Sequence, residues 1–436
     1  MKLAKASIQI YGLIIAGVAI AAYFFIGTDP LDSSVPAEGL PQPVAEQIEN
    51  EAPAIVQEPT LPEPPPVVEV ATAPEPAPEP QPILIDPLAG EQDAASMEEP
   101  TFPKGPTNPW LNPEFKDLVY AFPTDNKALL EDDNETFFMY VDRFFEKETT
   151  RPWQAGRFGF VRNPFRISTG EVWFSKLHEG IDIAPIERDE RDEPLDLIRP
   201  VAPGTVVHTS AVSGRSNYGR YIVVAHDLPE GTFYSLYAHL MDVRTEVGAK
   251  VDNSTVIARM GYSGVGLNKR RAHLHLELAF MINSDYTKFG PKANYHGNYN
   301  GLNLIGMNME DILRAGKGEK TVSISDYLLT QEELYRIRIP NKPELDIIKR
   351  YPFLLRATEA ERATAASLDI AFTAQGIPLA AYPCEEAVRA PKVLSSKPLP
   401  TLLQNCTSNR LKNNSQNPQL TGNGLRFMQI FTSRAK

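Results

Sequence analysis

The fold of this chain is decided by short runs of β-branched and aromatic residues, of which Tyr221–Val224 (YIVV) and Tyr234–Tyr237 (YSLY) are the clearest. Similar runs, bounded like these by glycine-bearing turns, occur at Thr205–Val207, Thr255–Ile257 and His273–Leu278. Short strands at this spacing are typical of an antiparallel sheet. The middle of the sequence therefore predicts a mainly β domain.

The sequence before this domain has a different composition. Although 42% of the 436 residues are hydrophobic, 20 of the 39 prolines lie between Pro30 and Pro109. This stretch is nearly free of aromatic residues, so it cannot bury enough apolar surface to offset its ordering entropy. We therefore expect residues 27–109 to form a disordered, acidic, Pro-rich linker that extends as a spacer.

The linker also carries most of the negative charge of the chain. Between Asp29 and Pro109 there are 16 acidic residues and one basic residue, Lys104. Because the formal net charge of the whole chain is −12, the sequence from Trp110 onward is near neutral. This distribution excludes the basic surface of a typical nucleic-acid-binding protein, and we expect no nucleic-acid partner.

An uncharged apolar run, Ile8–Ile26, precedes the linker. Its length as a helix is about 28 Å, which matches the hydrocarbon thickness of a bilayer. Lys2 and Lys5 lie before it, so the positive-inside rule makes residues 1–7 a cytoplasmic tip. We expect a single transmembrane helix with the rest of the chain outside the cytoplasm. The alternative is a cleaved signal peptide with a cleavage site near Ala19–Ala21.

The segments beside the β domain carry helical patterns. Two short apolar patterns in residues 110–157 predict a helical pre-domain, with a turn between them. Residues 301–380 contain three further patterns, and we expect a helical C-terminal extension there. The last pattern, Thr358–Ala374, opens with Thr358 and Glu361 at the spacing of a capping box.

The C-terminal residues 381–436 are basic. After Glu386 there are eight Lys or Arg residues and no acidic residue. We interpret this segment as a flexible tail; the alternative is a tail that grips an anionic polymer. Cys384 and Cys406 either form a disulfide that closes a loop of about 23 residues or stay as two free thiols, and the sequence leaves both possibilities open.

Residues suited to chemistry are concentrated in the β domain. His178 and Asp182 are four residues apart in HEGID, and His273 and His275 are two apart in HLH. Side chains at even spacing lie on the same face of a strand, so these groups can converge if their strands are neighbours. Two imidazoles, one carboxylate and an open position make a catalytic zinc site. The helical HExxH motif does not fit, because Gly180 is a poor helix former and the fifth residue is Asp182.

Hydrolysis by an activated water also needs groups that stabilise an oxyanion and protonate a leaving amine. His239 and one histidine of the His273/His275 pair remain for this role. We interpret His208 and His226 as structural or surface residues, and we assign no function to His296 in its polar loop.

Together these motifs resemble the LytM/lysostaphin-type zinc metallopeptidases over residues 158–282. The matching blocks are His178–Asp182, Pro203–Val207, Tyr218–Gly219, Tyr237–Leu240, Val247–Val251, Met260–Gly264 and His273–Glu277. By this resemblance His178, Asp182 and His275 hold one zinc ion, while His239 and His273 are catalytic. Arg162 matches a position at the edge of the groove in similar proteins.

The resemblance implies that residues 158–300 form a LytM-like domain, of the duplicated hybrid motif type, that hydrolyses peptide cross-links of bacterial peptidoglycan. Its partners would be these peptides and, through residues 8–26, the bilayer; no protein partner is identified. The domain would lie on the periplasmic or extracytoplasmic side of the inner (cytoplasmic) membrane. The alternative is a non-catalytic LytM-like module that binds the wall or activates other hydrolases, but all five functional groups are present here.

The sequence departs from the family pattern at two places. Glu187–Leu197 is a charged insertion after the first metal block, and Leu267–Arg271 carries Lys269, Arg270 and Arg271 where the family usually has small residues. We expect these departures to affect the choice of substrate more than the chemistry.

Overall fold

The computed structural model describes residues 102–104, 108–289, 295–412 and 417–433. These residues all lie within Glu79–Lys436, one of the two units into which the chain divides. The expected cytoplasmic tip and transmembrane helix, and nearly all of the linker, lie outside the described residues. Within the described ranges, no helix combines the length and the apolar character needed to cross a bilayer.

Strands dominate the described part of the chain, which confirms the predicted mainly β fold. In chain order they are β1 (Leu118–Val119), β2 (Arg143–Phe145), β3 (Glu148–Thr150), β4 (Val161–Arg166), β5 (Val172–Leu177), β6 (Ile181–Ile183), β7 (Leu197–Ile198), β8 (Gly204–Ser210), β9 (Tyr221–Leu228), β10 (Gly231–Ala238), β11 (Lys250–Val251), β12 (Ala258–Arg259), β13 (Leu274–Met281), β14 (Leu304–Met307), β15 (Thr321–Val322), β16 (Tyr335–Pro340), β17 (Ser367–Phe372), β18 (Pro378–Cys384), β19 (Lys392–Ser396), β20 (Leu411–Lys412) and β21 (Gln419–Leu420).

The helices are short. The α-helices are α1 (Asn134–Phe137), α2 (Met309–Gly316), α3 (Ile324–Thr330), α4 (Asp346–Arg350), α5 (Glu359–Thr364), α6 (Thr401–Gln404) and α7 (Gly422–Phe431). Turns of 3-10 helix occur at Ala128–Glu131, Trp153–Gly156, Lys269–Arg271, Tyr286–Lys288 and Pro352–Leu354.

The central sheet has the strand order β11-β8-β9-β10-β13-β14, and β6 also pairs with β13. The pairings in this sheet are antiparallel. Strand β13 has β10 on one side, while β6 and β14 follow one another along its other side. Ala238 and Asp182 are therefore both register partners of His275.

Alternation along β13 separates the two faces of the central sheet. Side chains of the first face pack into the main hydrophobic core, at Leu274, Leu276, Leu278 and Phe280. On the second face, Ala279 and Met281 belong to a smaller apolar cluster. Because side chains alternate, His275 and Glu277 share this second face. The alternation of side chains along β13 thus places the polar groups of His275 and Glu277 on the face away from the main core.

Residues 110–157 differ from the expected helical pre-domain. They contain short helical turns, but also β1 and the hairpin of β2 and β3. A longer helix does not form, because Asp132 is left-handed (φ 58°) and the Asp133 side chain caps α1 by accepting a hydrogen bond from the Thr136 amide. Phe138 then leaves the helix and forms a bridge to Ile183 in the central sheet.

Residues 301–380 also differ from the expected helical extension. The capping box of Thr358 and Glu361 is present, but α5 ends at Thr364 and not at Ala374. The sequence SLDIAF that follows forms β17, whose side chains at Leu368, Ile370 and Phe372 are buried. This strand belongs to an antiparallel sheet of order β18-β17-β16-β19, which we call the C-terminal sheet.

Residues 381–436 are packed against the fold over their described part, in contrast to the expected flexible tail. The α7 side chains Phe427 and Phe431 lie in edge contact with Phe372 of the C-terminal sheet. At Cys406 the chain bridges to Phe174 of β5. The buried apolar side chains of α7 explain why this basic segment docks. Cys384 and Cys406 are free thiols.

Candidate metal centre and active site

The candidate site lies where β13 meets β6 and the end of β10. Asp182 on β6 is the register partner of His275 on one side, and Ala238 at the end of β10 is its partner on the other. His239 follows Ala238 directly. The antiparallel register therefore brings three of the predicted groups together from residues far apart in sequence.

His178 reaches the same place by a turn and not along a strand. It lies between the end of β5 and the start of β6, so the even spacing of His178 and Asp182 does not run along a single strand. The turn needs Gly180, because a Cβ atom at this position would lie 2.3 Å from the Leu276 carbonyl oxygen. The missing side chain allows the His178 segment to approach β13 closely.

Three donor atoms meet in this cluster. Asp182 Oδ1 lies 3.0 Å from His178 Nε2 and 2.9 Å from His275 Nδ1, and these two nitrogens are 3.2 Å apart. The three side chains are buried and form a group able to hold one metal ion. Two imidazole nitrogens and a carboxylate oxygen are ligand atoms that zinc prefers.

Neighbouring groups fix the orientation of each donor. His178 Nδ1 lies 2.8 Å from the Arg157 carbonyl oxygen, to which it donates, so Nε2 keeps its lone pair for the cluster. His275 Nε2 lies 2.9 Å from Glu277 Oε1. Arg162 Nη2 donates to the outer oxygen of Asp182, Oδ2, at 2.5 Å. Such contacts are typical of the groups that orient metal ligands.

The electrostatics of the cluster favour a cation. Burial, followed by the positive charge of Arg162, lowers the pKa of His178 to about 4, so this imidazole is neutral. Burial alone would raise the pKa of Asp182, but charged neighbours, among them the Arg162 guanidinium, hold it well below its usual range. Burial opposes a charge on His275, yet hydrogen bonds to Asp182 and Glu277 raise its pKa to about 10. The buried Asp182 carboxylate, together with Glu277 behind His275, gives the position the negative charge that suits a divalent metal.

His239 and His273 lie beside these donors. Their rings are 4.7 Å apart between centroids, and His273 Nε2 lies 3.6 Å from Asp182 Oδ1. In each histidine Nδ1 donates to a backbone carbonyl, that of Ser263 for His239 at 2.9 Å and that of Arg271 for His273 at 2.7 Å. The lone pair of each ring is therefore on Nε2.

The backbone at His239 is strained. Its φ angle is +62°, in the left-handed region that a residue with a side chain rarely adopts. Such a conformation is retained only where the surrounding structure requires it, and it is frequent at functional sites. Here it turns the chain out of β10 and toward His273.

The two departures from the family pattern pack against each other at the rim of the site. Arg188 Nη1 in the insertion donates to the Lys269 carbonyl at 3.0 Å, and Lys269 Nζ lies 2.9 Å from Glu193. Arg270 pairs with Asp142 of the preceding segment at 2.8 Å. The insertion and the basic loop before His273 therefore form one wall.

The remaining histidines lie outside the cluster. His226 is buried between the Pro203 carbonyl and the Ser235 hydroxyl, which is a structural role. His208 packs on Tyr221 with a centroid distance of 4.9 Å, and His296 contacts the hydroxyl of the same tyrosine at 2.7 Å.

Sequence reasoning gave no role to Glu277 and Tyr218. Glu277 is fully buried, and its Oε1 accepts from the Tyr218 hydroxyl at 2.7 Å as well as from His275. The signal was present, since Glu277 continues the spacing of two that joins His273 and His275. An acidic residue at that spacing on a buried strand indicates a partner for the histidine.

Several solved structures are similar to this chain. Similar solved structures include a zinc-containing peptidase from Vibrio cholerae, with 18% identity over 37% of this chain and 37% of that one and a TM-score of 0.22. LytU is similar with 22% identity over 32% of this chain and 77% of that one, at a TM-score of 0.21. The catalytic domain of the antimicrobial peptidase lysostaphin from Staphylococcus simulans is 20% identical over 29% of this chain and 82% of that one, at a TM-score of 0.20.

No curated protein sequence matches the chain. Residues 176–287, which hold all five predicted site residues, match the model of Peptidase family M23. Members of this family are zinc metallopeptidases that hydrolyse peptidoglycan, although some are inactive. Residues 176–287 of this chain therefore form a Peptidase family M23 domain.

Proposed function

We propose that the chain is a membrane-anchored, exported zinc metalloendopeptidase that hydrolyses the peptide cross-links of bacterial peptidoglycan. One observation supports this above all: three ligand atoms and two further histidines converge in one buried cluster of an M23 domain. An inactive relative of such an enzyme would not need to keep all five groups.

The ligands proposed for zinc are His178 Nε2, Asp182 Oδ1 and His275 Nδ1. When bound, zinc supplies a Lewis acid that activates a water molecule and polarises the carbonyl of the scissile peptide bond. The Arg157 carbonyl and the Glu277 carboxylate hold the two imidazoles in the orientation that this requires. Arg162 holds the carboxylate of Asp182 through its other oxygen.

His239 and His273 are proposed to hold and move protons during hydrolysis. Because Nδ1 of each is bound to a backbone carbonyl, Nε2 is the atom that can take a proton from water or, once protonated, donate to the oxyanion or the leaving amine. Burial lowers the pKa of His273 to about 4 and that of His239 well below its usual range. Both rings are therefore neutral near pH 7, as an initial proton acceptor must be.

The experiment that tests this function uses the purified full chain loaded with zinc. Cross-linked muropeptides are incubated with it, with and without a chelator, and the products are weighed by mass spectrometry. Cross-link peptides cut only in the absence of chelator are the expected result. Intact muropeptides, together with binding to the wall or stimulation of another hydrolase, would favour the non-catalytic alternative.

We also propose that residues 8–26 anchor the chain in the inner membrane with the catalytic domain outside. The support is the apolar run and the lysines before it. A reporter fused after residue 110 should be active only if it functions outside the cytoplasm. Mature protein that begins near residue 22, detected by N-terminal sequencing, would replace the anchor with a cleaved signal peptide.

A further inference from the structure

A cleft of about 210 Å³ lies beside the metal centre, between the M23 domain and the C-terminal segments. One wall comes from residues 177–179 and from β14, and the opposite wall comes from Arg410 and α7. The cleft is large enough for a small organic molecule. His239 and His273, the groups proposed for proton transfer, do not line this cleft. His178 does line it, together with its neighbours Leu177 and Glu179.

Arg410 is the residue that gives the cleft its chemistry. Its Nη1 donates to the Gln375 carbonyl, and its guanidinium carbon lies 4.3 Å from the centroid of the Phe427 ring. Its Nε is buried and has no hydrogen-bond partner in the described residues. Among the residues that the structure describes, Arg410 forms no ion pair. A buried N–H donor without an acceptor is costly, so the position favours an anion that can accept a hydrogen bond from Nε.

The fold makes specific room for this guanidinium. A Cβ atom at Gly376 would lie 2.7 Å from both Cζ and Nη1 of Arg410, so a larger residue there would displace the charge. Burial lowers the pKa of Arg410 from its usual range, although the nearby Tyr335 and Glu179 act in the opposite direction. Arg410 is therefore held in place by packing and not by a paired carboxylate.

The rest of the lining defines the type of anion. Arg426 adds a second guanidinium, and Glu179 is the acidic residue of the lining, so two positive groups face one negative group. The segment after Glu386 has no acidic residue that could neutralise them. Much of the remaining surface is apolar and includes Phe427. Apolar walls beside a guanidinium suit an organic anion better than a strongly hydrated inorganic one.

We propose that this cleft binds a small organic carboxylate. The carboxylate group pairs with Arg410 and Arg426, and the apolar body packs against Phe158, Leu304 and Phe427. The site is separate from the proposed peptidase chemistry, and most of its lining comes from segments outside the M23 domain. A carboxylate bound in this cleft would therefore contact both the C-terminal segments and the turn that carries His178.

The test uses isothermal titration calorimetry on the full chain with two matched probes, N-acetyl-alanyl-alanine and the same dipeptide as its C-terminal amide. Inorganic phosphate is a third arm. The expected result is binding of the carboxylate, with no binding of the amide and weaker binding of phosphate. Equal binding of carboxylate and amide, tighter binding of phosphate or no heat with any probe would overturn the proposal.

Variants then locate the binding. Arg410→Gln should weaken the carboxylate at least about tenfold, as expected for the loss of one charge-assisted hydrogen bond. Lys412→Gln, which removes a positive charge from an exposed neighbour outside the cleft, should leave binding unchanged. If circular dichroism shows that Arg410→Gln does not fold, the exposed Arg426→Gln decides: weaker binding supports the proposal, and unchanged binding overturns it.

The same titration with and without chelator separates this cleft from the metal centre. Binding that persists after zinc removal and is lost in the Arg410 or Arg426 variant supports the cleft. Binding that needs zinc and survives both variants would place the carboxylate on the metal and overturn the proposal. Neither result depends on whether the chain cleaves muropeptides.

Discussion

The central sheet and the C-terminal sheet bury different kinds of side chain. On the site face of the central sheet, His178, Asp182, His275 and Glu277 are each no more than 5% exposed. The buried centre of the C-terminal sheet is aromatic, with Tyr335 and Phe372 stacked at a centroid distance of 5.2 Å, and α7 adds Phe427 and Phe431.

This difference separates chemistry from stability. Burial of carboxylates and imidazoles carries a desolvation cost that their mutual attraction need not exceed, so the polar cluster is a weak source of stability. Aromatic side chains contribute large buried apolar areas and favourable edge contacts. We therefore expect changes in the polar cluster to remove function without unfolding the chain, and changes in the aromatic centre to do the reverse.

The largest effect on function is expected from loss of a ligand. Asp182→Ala removes the carboxylate that contacts both His178 and His275, and zinc then has two candidate ligands in place of three. Bound zinc, measured by metal analysis, and cleavage of muropeptides should both be lost, as they should in His178→Ala. Full zinc occupancy in either variant would end the ligand assignment.

The next effect concerns rate and not metal binding. His239→Ala or His273→Ala should lower the rate of cleavage by about 10²–10⁴ because a proton-transfer group is lost, while zinc stays bound. The double variant should lose less than the product of the two single losses, since both rings serve one reaction. Wild-type turnover in His239→Ala, or release of zinc from His273→Ala, would contradict this division of roles.

The aromatic centre should respond in the opposite way. Phe372→Ala removes a fully buried ring in contact with three other rings, and should lower the free energy of unfolding by about 3–5 kcal/mol. Below the unfolding temperature the variant should still bind zinc. Denaturant unfolding measures the loss, with Tyr382→Ala at a 37% exposed position of β18 as the control of smaller effect. Equal losses in both variants would argue against a cooperative aromatic centre.

The same contrast explains what the sequence could predict. In the M23 domain, alternation of apolar residues indicated which side chains share a face, and even spacing placed His273 and His275 together. The register between β6 and β13 could not be read from the spacing within HEGID, because His178 lies in a turn before β6. That position depends on the close approach at Gly180, which is a tertiary contact.

The C-terminal segments were harder to predict because local patterns conflict with the tertiary structure. The predicted helical extension included the start of β16, because the alternating run YRIRIP follows a capped helix with no Gly or Pro between them. In α7 two glycines near the start are poor helix formers, and the helix begins because the Thr421 side chain caps it. Packing on Phe372 then outweighs propensity.

The smallest effect concerns a positioning residue at the border of the polar cluster. Glu277→Gln keeps the size of the side chain and an acceptor for His275, but it removes the negative charge. A nearby negative charge stabilises a divalent ion more than it stabilises a single proton. Loss of this charge should therefore weaken zinc binding more than it weakens the binding of the competing proton on His275. Zinc affinity should fall by about 10–100-fold, as for other residues that support metal ligands.

Competition with a chromophoric chelator measures this affinity, and Tyr218→Phe is the matched control. It removes the second hydrogen bond to Glu277 Oε1 without a change of charge, so it should weaken zinc binding less. At saturating zinc, Glu277→Gln should keep most of its rate, because Glu277 acts through His275 and does not touch the substrate. Unchanged zinc affinity with a large loss of rate would instead show that Glu277 takes part in catalysis. Glu277 would then be a catalytic residue and not a residue that supports a metal ligand.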